Sequence, residues 1–335
     1  MEHVTLHNHF LTSISRAVER AGYSNNSLLK QASVSPLILQ TPNRRVPLKA
    51  FVSYCRGAWS VMDDEFFGLS GQACKPGTFA FLAEQCVSCR NVKEVLKKAG
   101  DFYSLFTNLK IQTSIKDKEV CLSVACGAPE NDPDHILIDF LLTTWHRFIS
   151  WLIGTQVVLS KVMLNFAPPE HLHEYKYMLP GPHYFEQKES ALCFSTDYLE
   201  QPITREPVEL AVFLKNFPFS VLVPPTVDNS YTGKVRIIVK QTPEFPNDMF
   251  DFEEVALKVN LTPSTLRRKL KSEGSSYQQI KDLLRRDLAI HHMQAAGLSI
   301  TDIAYRVGFT EPGAFIRAFK GWTGITPGHY RSANG

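Results

Sequence analysis

The feature that most limits what this chain can fold into is a pattern written twice in its C-terminal third. In "DIAYRVGFTEPGAFIRAFK", residues 302–320, Ile303, Ala304 and Val307 share one face of a helix. Gly308 follows where a helix can end in positive φ, and Thr310 is placed to cap a second helix. Ser299 and Asp302 have the spacing of a capping box, and Gly297 stops whatever precedes it. In the second helix Ala314, Phe315, Ala318 and Phe319 turn inward, which leaves Ile316, Arg317 and Lys320 at or near the outer side. "EEVALKVNLTPSTLRRKLK" repeats the plan. Val255, Ala256 and Val259 mark a first helix, Asn260 stands for Gly308, Leu261 for Phe309, and Thr262 is the cap with Pro263 at the first helical position. With one residue more in the second turn, 266–271 lies over 315–320, so that Arg268 matches Arg317 and Lys271 matches Lys320. One such hairpin with a basic face is commonest as a solvated surface. Two copies, aligned through their cations, point to nucleic acid.

Between the copies, "SSYQQIKDLLRRDLAIHHMQAAG" reads as one long helix, capped by Ser275 or Ser276, stopped by Gly297, with Tyr277, Ile280, Leu284 and Leu288 on one face. At about 1.5 Å per residue a helix of roughly twenty residues spans about 30 Å, close to the ~34 Å between successive major-groove faces of B-DNA. A single chain then fills two adjacent grooves. Arg285, Arg286, His291 and His292 are expected on its solvated face. Charge agrees with this polarity. Residues 230–335 hold 15 Lys and Arg against 10 Asp and Glu, while residues 1–229 hold 21 against 23, so the total of +3 hides a basic end of +5 and an acidic remainder of −2.

On these residues the C-terminal part, from about 230 to 335, resembles the DNA-binding domain of the AraC/XylS family of bacterial transcription regulators. The downstream run "GFTEPGAFIRAFKGWTGITPGHYR" carries the specific elements, and "TLRRKLKSEGSSYQQI" is similar to the family as well. The resemblance implies two helix-turn-helix units joined by a long helix and acting on double-stranded operator DNA. It assigns base reading to Ser264, Thr265, Arg267 and Arg268 in the first unit and to Gly313, Ile316 and Arg317 in the second, with Lys271 and Lys320 on phosphates. Members commonly carry polar or small side chains at the start of the second recognition helix. Here Pro312 offers no N–H and Gly313 no side chain, so the first unit is expected to discriminate more sharply.

The remaining two thirds reads as an α+β domain, with the all-α domain of two helix-turn-helix units behind it. Helices are expected at 10–21, 47–62, 78–88, 91–107, 134–153 and 207–215, and strands around 110–115, 119–125, 160–166 and 190–195. The runs "PLKAFVSYCRGAW", "FAFLAEQCVSCRNVKEVLKKAGDFYSLF" and "FSTDYLEQPITREPVELAVFL" resemble the N-terminal domain of the arabinose-binding-like branch of the same family, whose ligand differs from member to member. That resemblance implies an effector-sensing and oligomerising domain, while Pro218, Pro224 and Pro225 mark a linker at 218–230, which bounds this domain at 1–217 and the DNA-binding domain at 231–335. Phe81, Trp145, Phe148 and Trp151 are candidates to line a pocket for an apolar or amphipathic effector, against the plainer alternative of core packing.

Several function classes fall away. "MEHVTLHNHF" lacks the basic and apolar regions of a secretory signal, and "HILIDFLLTTWHRFISWLIG" is interrupted by Asp139, His146 and Arg147, so no membrane span is expected. Seven cysteines, all before residue 194, predict reduced thiols in a cytoplasmic protein. Cys86 and Cys89 have metal-like spacing without a second pair, and His171, His173 and Glu174 sit in a Pro-rich connection, so neither group is expected to hold a metal, and no cofactor is expected. The alternative reading is an alkylation-repair methyltransferase fused to this DNA-binding module. Its thiolate would have to come from "EQCVS" or "ALCFS", where no His or Arg adjoins the cysteine. The favoured expectation is a regulator without catalysis, a homodimer through its N-terminal domain, touching RNA polymerase if it activates.

Overall fold

A computed structural model describes residues 5–41, 44–223, 231–242, 245–247, 249–273, 275–294, 297–323 and 325–334. The elements in chain order begin with β1 (Thr5–His7), α1 (Asn8–Arg20), α2 (Asn25–Gln31), α3 (Leu37–Gln40), β2 (Arg45–Pro47) and α4 (Leu48–Met62). Next come α5 (Thr78–Val87), α6 (Val92–Phe106), β3 (Leu109–Lys116), β4 (Glu119–Cys126), α7 (Ile136–Ile153) and β5 (Leu159–Met163). Then follow α8 (Leu172–Met178), β6 (His183–Tyr184), β7 (Ser190–Ser195), α9 (Pro207–Lys215) and α10 (Phe219–Leu222). The C-terminal helices are α11 (Tyr231–Lys240), α12 (Phe252–Lys258), α13 (Pro263–Ser272), α14 (Tyr277–Gln294), α15 (Ile300–Arg306), α16 (Pro312–Thr323) and α17 (Pro327–Asn334).

Two compact units divide the chain. His9–Gln40 and Lys49–Thr226 make one, and Met1–Asn8, Thr41–Leu48 and Val227–Gly335 make the other. The first is α+β. Its sheet has the order β3-β4-β7-β5-β6, antiparallel except for the β5/β6 pair. Val120, Leu122 and Val124 alternate along β4 and are buried on the face that meets α7. All of α7 except Phe140 and Trp151 is buried, as a helix apolar nearly all round must be. It is long and apolar enough to cross a membrane, yet 89% of it lies inside this core, and its Asp139, His146 and Arg147 are buried with it. Of the expected linker, 219–222 form α10, whose N-cap is Pro218, and 224–230 lie outside the described residues.

The expectation of reduced thiols meets one correction. Cys121 on β4 and Cys193 on β7 stand directly opposite each other, with Cα atoms 4.1 Å apart, and are joined as a disulfide. Seventy-two residues separate them in sequence, so only the strand register brings them together. Cys55, Cys74, Cys86, Cys89 and Cys126 are free thiols.

Among its described residues the second unit is helical apart from a two-stranded sheet, β1 with β2, that packs against α17. The same residues hold two small cores. Val235, Val239, Val255, Ala256, Leu266, Leu270, Ile280 and Leu284 form one, from α11 to the first half of α14. Ala289, Ile290, Met293, Ile303, Ala304, Val307, Phe315, Phe319, Trp322 and Tyr330 form the other, from the second half of α14 to α17. Helix α14 is thus a shared wall, and each helix-turn-helix buries its own apolar face against one end of it.

Candidate nucleic-acid interface

Each helix-turn-helix is closed by local chemistry. At α12 the Asp251 side chain accepts from the Glu254 N–H at 2.8 Å and the Glu254 carboxylate accepts from the Asp251 N–H at 2.8 Å. The turn passes through Asn260 at φ 57°. Thr262 caps α13 by accepting from the Thr265 N–H at 3.3 Å, with Pro263 in the first turn. The second unit repeats this with the Ser299/Asp302 capping box and with Gly308 at φ 81°. A Cβ on Gly308 would run into the Pro246 carbonyl, so the turn needs glycine for its φ and for this close approach. One detail differs from the sequence expectation. Helix α16 starts at Pro312, so Glu311 rather than Thr310 stands immediately before it.

Buried Leu266 and Leu270 aim one side of α13 at the core and turn the opposite side outward. Ser264, Arg267, Arg268 and Lys271 are exposed there, while Thr265 is half-buried and accepts a hydrogen bond from the Thr262 hydroxyl at 2.9 Å. Arg267 lies over the Phe252 ring at 5.1 Å, and Lys269 over Tyr231 at 5.3 Å. The side chains of Arg268 and Lys271 have no ion pair or hydrogen bond among the described residues. In α16 Phe315 and Phe319 are buried, and Gly313, Ile316, Arg317 and Lys320 are exposed. The Arg317 guanidinium sits over the helix start, 3.7 Å from where a Cβ of Gly313 would be. Thus Arg268 with Lys271 and Arg317 with Lys320 occupy matching outward places on two helices.

The long helix departs from its expectation. Ser276 caps it by accepting from the Gln279 N–H at 3.2 Å, and 18 residues make it about 27 Å long. Arg285, Arg286, His291 and His292, however, are half-buried rather than solvated. Arg285 lies 5.3 Å from the Phe309 ring centre, and Arg286 pairs with Asp287 at 2.7 Å. A helix used as a wall by two cores has little free face left.

Among the aromatic candidates, Trp145 and Phe148 are fully buried. Rings of Trp145, Phe148 and Trp151 form a row with 6.0 Å between neighbours, filled in by Tyr103, Phe79 and Phe213. Arg205 covers Trp151 at 5.4 Å. Phe81 does not join the row. It is 57% exposed on α5 and meets Phe102 at 6.1 Å. Cys86 and Cys89 are buried on α5 and just beyond it, and burial raises both thiols, Cys86 to about 12. Among the described residues the group that could hold a metal ion is Glu119 with Cys121 and Cys193, whose sulfurs are bonded to each other; His171 and Glu174 are buried, and the side chain of His173 lies outside the description.

In the sequence Asp139 is only an interruption of an apolar run. In the structure its Oδ2 accepts a 2.6 Å hydrogen bond from Tyr175 of α8, inside the core. The signal that could have found it is a carboxylate in a helix with apolar residues on all sides.

Known families match both parts of the chain. Residues 22–203 match the family described as the arabinose-binding domain of AraC transcription regulators, and residues 255–333 match a helix-turn-helix domain. The ornithine utilization regulator of Pseudomonas aeruginosa is 25% identical over 318 residues, covering 94% of this chain and 93% of that one. The urease operon transcriptional activator of Escherichia coli is 33% identical over 182 residues, 53% of this chain and 58% of that one. Of solved structures, the transcriptional regulator CdpR from Pseudomonas aeruginosa aligns over 98% of this chain and 99% of its own, at 18% identity and a TM-score of 0.32.

Proposed function

This chain belongs to the AraC family of DNA-binding transcription regulators, and we propose that it reads a two-part operator through α13 and α16 under the control of a small molecule held in its α+β unit. One observation carries the reading: two helices on a common wall present Arg268 with Lys271 and Arg317 with Lys320 outward at matching places. Arginine is the side chain best shaped to read guanine, and lysine neutralises phosphate as a point charge. Exposed Ile316 offers an apolar contact suited to a thymine methyl group. Ser264, Thr265 and Arg267 complete the first reading surface, and Gly313 lets α16 approach closely.

The α+β unit senses and pairs two copies of the chain, which acts in the cytoplasm where its operator is, and it touches RNA polymerase if it activates. No catalysis is assigned. A methyltransferase would need a thiolate, but Cys86 is a buried thiol pushed to about 12 and Cys193 is tied to Cys121. The decisive experiment is selection of binding sites from a randomised duplex pool with the full chain. The expected product has two half-sites about one helical turn, ~10 bp, apart, the first better defined than the second. Enrichment of one half-site alone, or of none, refutes the reading.

A further inference from the structure

Along α7, Asp139, Thr143 and Arg147 recur at intervals of four and so share one stripe of the helix. Asp139 is 1% exposed. Its Oδ2 takes the Tyr175 hydroxyl hydrogen bond, and its Oδ1 has no partner. Thr143, one turn on and also 1% exposed, has a hydroxyl without a partner. Arg147 is two turns away, about 12 Å along the axis, and donates to the Met178 carbonyl at 3.4 Å. Among the described residues the charge that acts on Asp139 is another carboxylate, Asp132, itself 3% exposed and with Oδ1 unpartnered. Two buried acids without a nearby cation are costly, and burial holds the Asp139 carboxyl well above the usual carboxylate range.

The surroundings of the pair are aromatic. The Tyr175 ring has His171 at 5.9 Å, His183 at 5.9 Å, Phe185 at 6.0 Å and Phe166 at 6.5 Å. Acceptors without donors, next to a tyrosine that packs among four other rings, suit a group that brings several N–H donors and a positive charge. We infer that the stripe between α7 and α8 is the effector site and that its ligand is a small amine, held as an ammonium by Asp139 Oδ1 and Thr143 Oγ1 with its carbon chain against the aromatic rings. This rests on the sensing role proposed above and gives that role a ligand class. It also sharpens the amphipathic effector expected from sequence, because the Trp145–Phe148–Trp151 row is filled by its own rings.

The test uses the full chain, its selected operator, and n-butylamine and 1,4-diaminobutane as probes, with 1-butanol and butyrate as the uncharged and anionic arms. The amines are expected to raise the melting temperature by about 5 °C at saturation and to shift operator affinity at least about fivefold. Asp139→Asn should abolish both effects, and Thr143→Val should weaken binding about tenfold. If Asp139→Asn fails to fold, judged by near-ultraviolet circular dichroism, Thr143→Val decides. Amines that act equally on wild type and variant, or no more than butanol and butyrate, overturn the assignment, as does the absence of any amine effect. A response to butanol or butyrate alone leaves the sensing role standing with the wrong ligand class. No change of operator affinity with any of the four removes both.

Discussion

The Arg285 guanidinium of α14 lies 5.3 Å from the centre of the Phe309 ring, in the turn of the second helix-turn-helix. It fastens the long helix to the unit that α16 belongs to, and Phe309 in turn meets Phe315 at 5.6 Å and Trp322 at 5.8 Å. Arg285→Ala is expected to cost about 1–2 kcal/mol through lost cation–π contact and lost packing of the stem. Urea unfolding of the full chain checks this; a change within about 0.3 kcal/mol of zero would make the contact incidental.

Replacing Arg268 or Arg317 by Ala should cost about 1–3 kcal/mol on the selected operator and relax preference at one base position. Lys271→Ala and Lys320→Ala should instead weaken all sequences alike and lower the salt slope by about one. Titrations on operator and random duplex at several salt concentrations separate the two behaviours. Equal losses from all four on random DNA would show that none of them reads bases.

Two glycines in positive φ give a matched comparison. At Gly308 a new Cβ meets the Pro246 backbone, whereas at Gly297, φ 94°, nothing lies within 4 Å. Gly297→Ala should therefore cost only the conformational strain, about 1 kcal/mol, and Gly308→Ala about 3 kcal/mol or more, with loss of operator binding. Similar melting temperatures for the two variants would contradict this.

The buried acids set a pH dependence. Burial raises the Asp132 carboxyl from 3.8 to about 6, against the N–H groups of Leu137 and Ile138 that it accepts from, with Asp134 adding to the rise. Asp139 is raised in the same sense. A carboxyl that holds its proton more tightly when folded destabilises as it ionises, so stability falls as pH rises from about 4 through about 6. Asp132→Asn, which keeps an acceptor for the two N–H groups, should remove up to about 3 kcal/mol of that fall. Melting curves from pH 4 to 7 test it; parallel slopes in wild type and variant would exclude Asp132 as the source.

Reduction of the Cys121–Cys193 bond should lower the stability of the α+β unit by about 2–4 kcal/mol, because it releases a long loop in the unfolded chain. A peptide map without reductant should contain the linked pair. Cys121→Ser that melts like the oxidised wild type would mean that the sheet alone carries the stability.

The features legible in the sequence are local ones. The two helix-turn-helix units were legible because caps, positive-φ turns and a 3.6-residue period act within a few residues of one another. Ser299 with Asp302, Thr262 with Pro263, and Asn260 and Gly308 at the turns all stand where that spacing puts them. Likewise α7, β3, β4 and β7 followed from apolar runs and alternation. Tertiary structure alone decided what depends on distant partners: Cys121 opposite Cys193 across a strand register, β1 and β2 grouped with the C-terminal helices, and Arg285 drawn from its expected solvated face onto Phe309. A three-residue strand carries no period to read. A polar residue in an apolar helix, such as Asp139, does not announce whether Tyr175 or water will meet it. The reason is that a hydrogen bond or ring contact between residues dozens of positions apart leaves no mark on the chain near either one, and arises only when the core has closed around both.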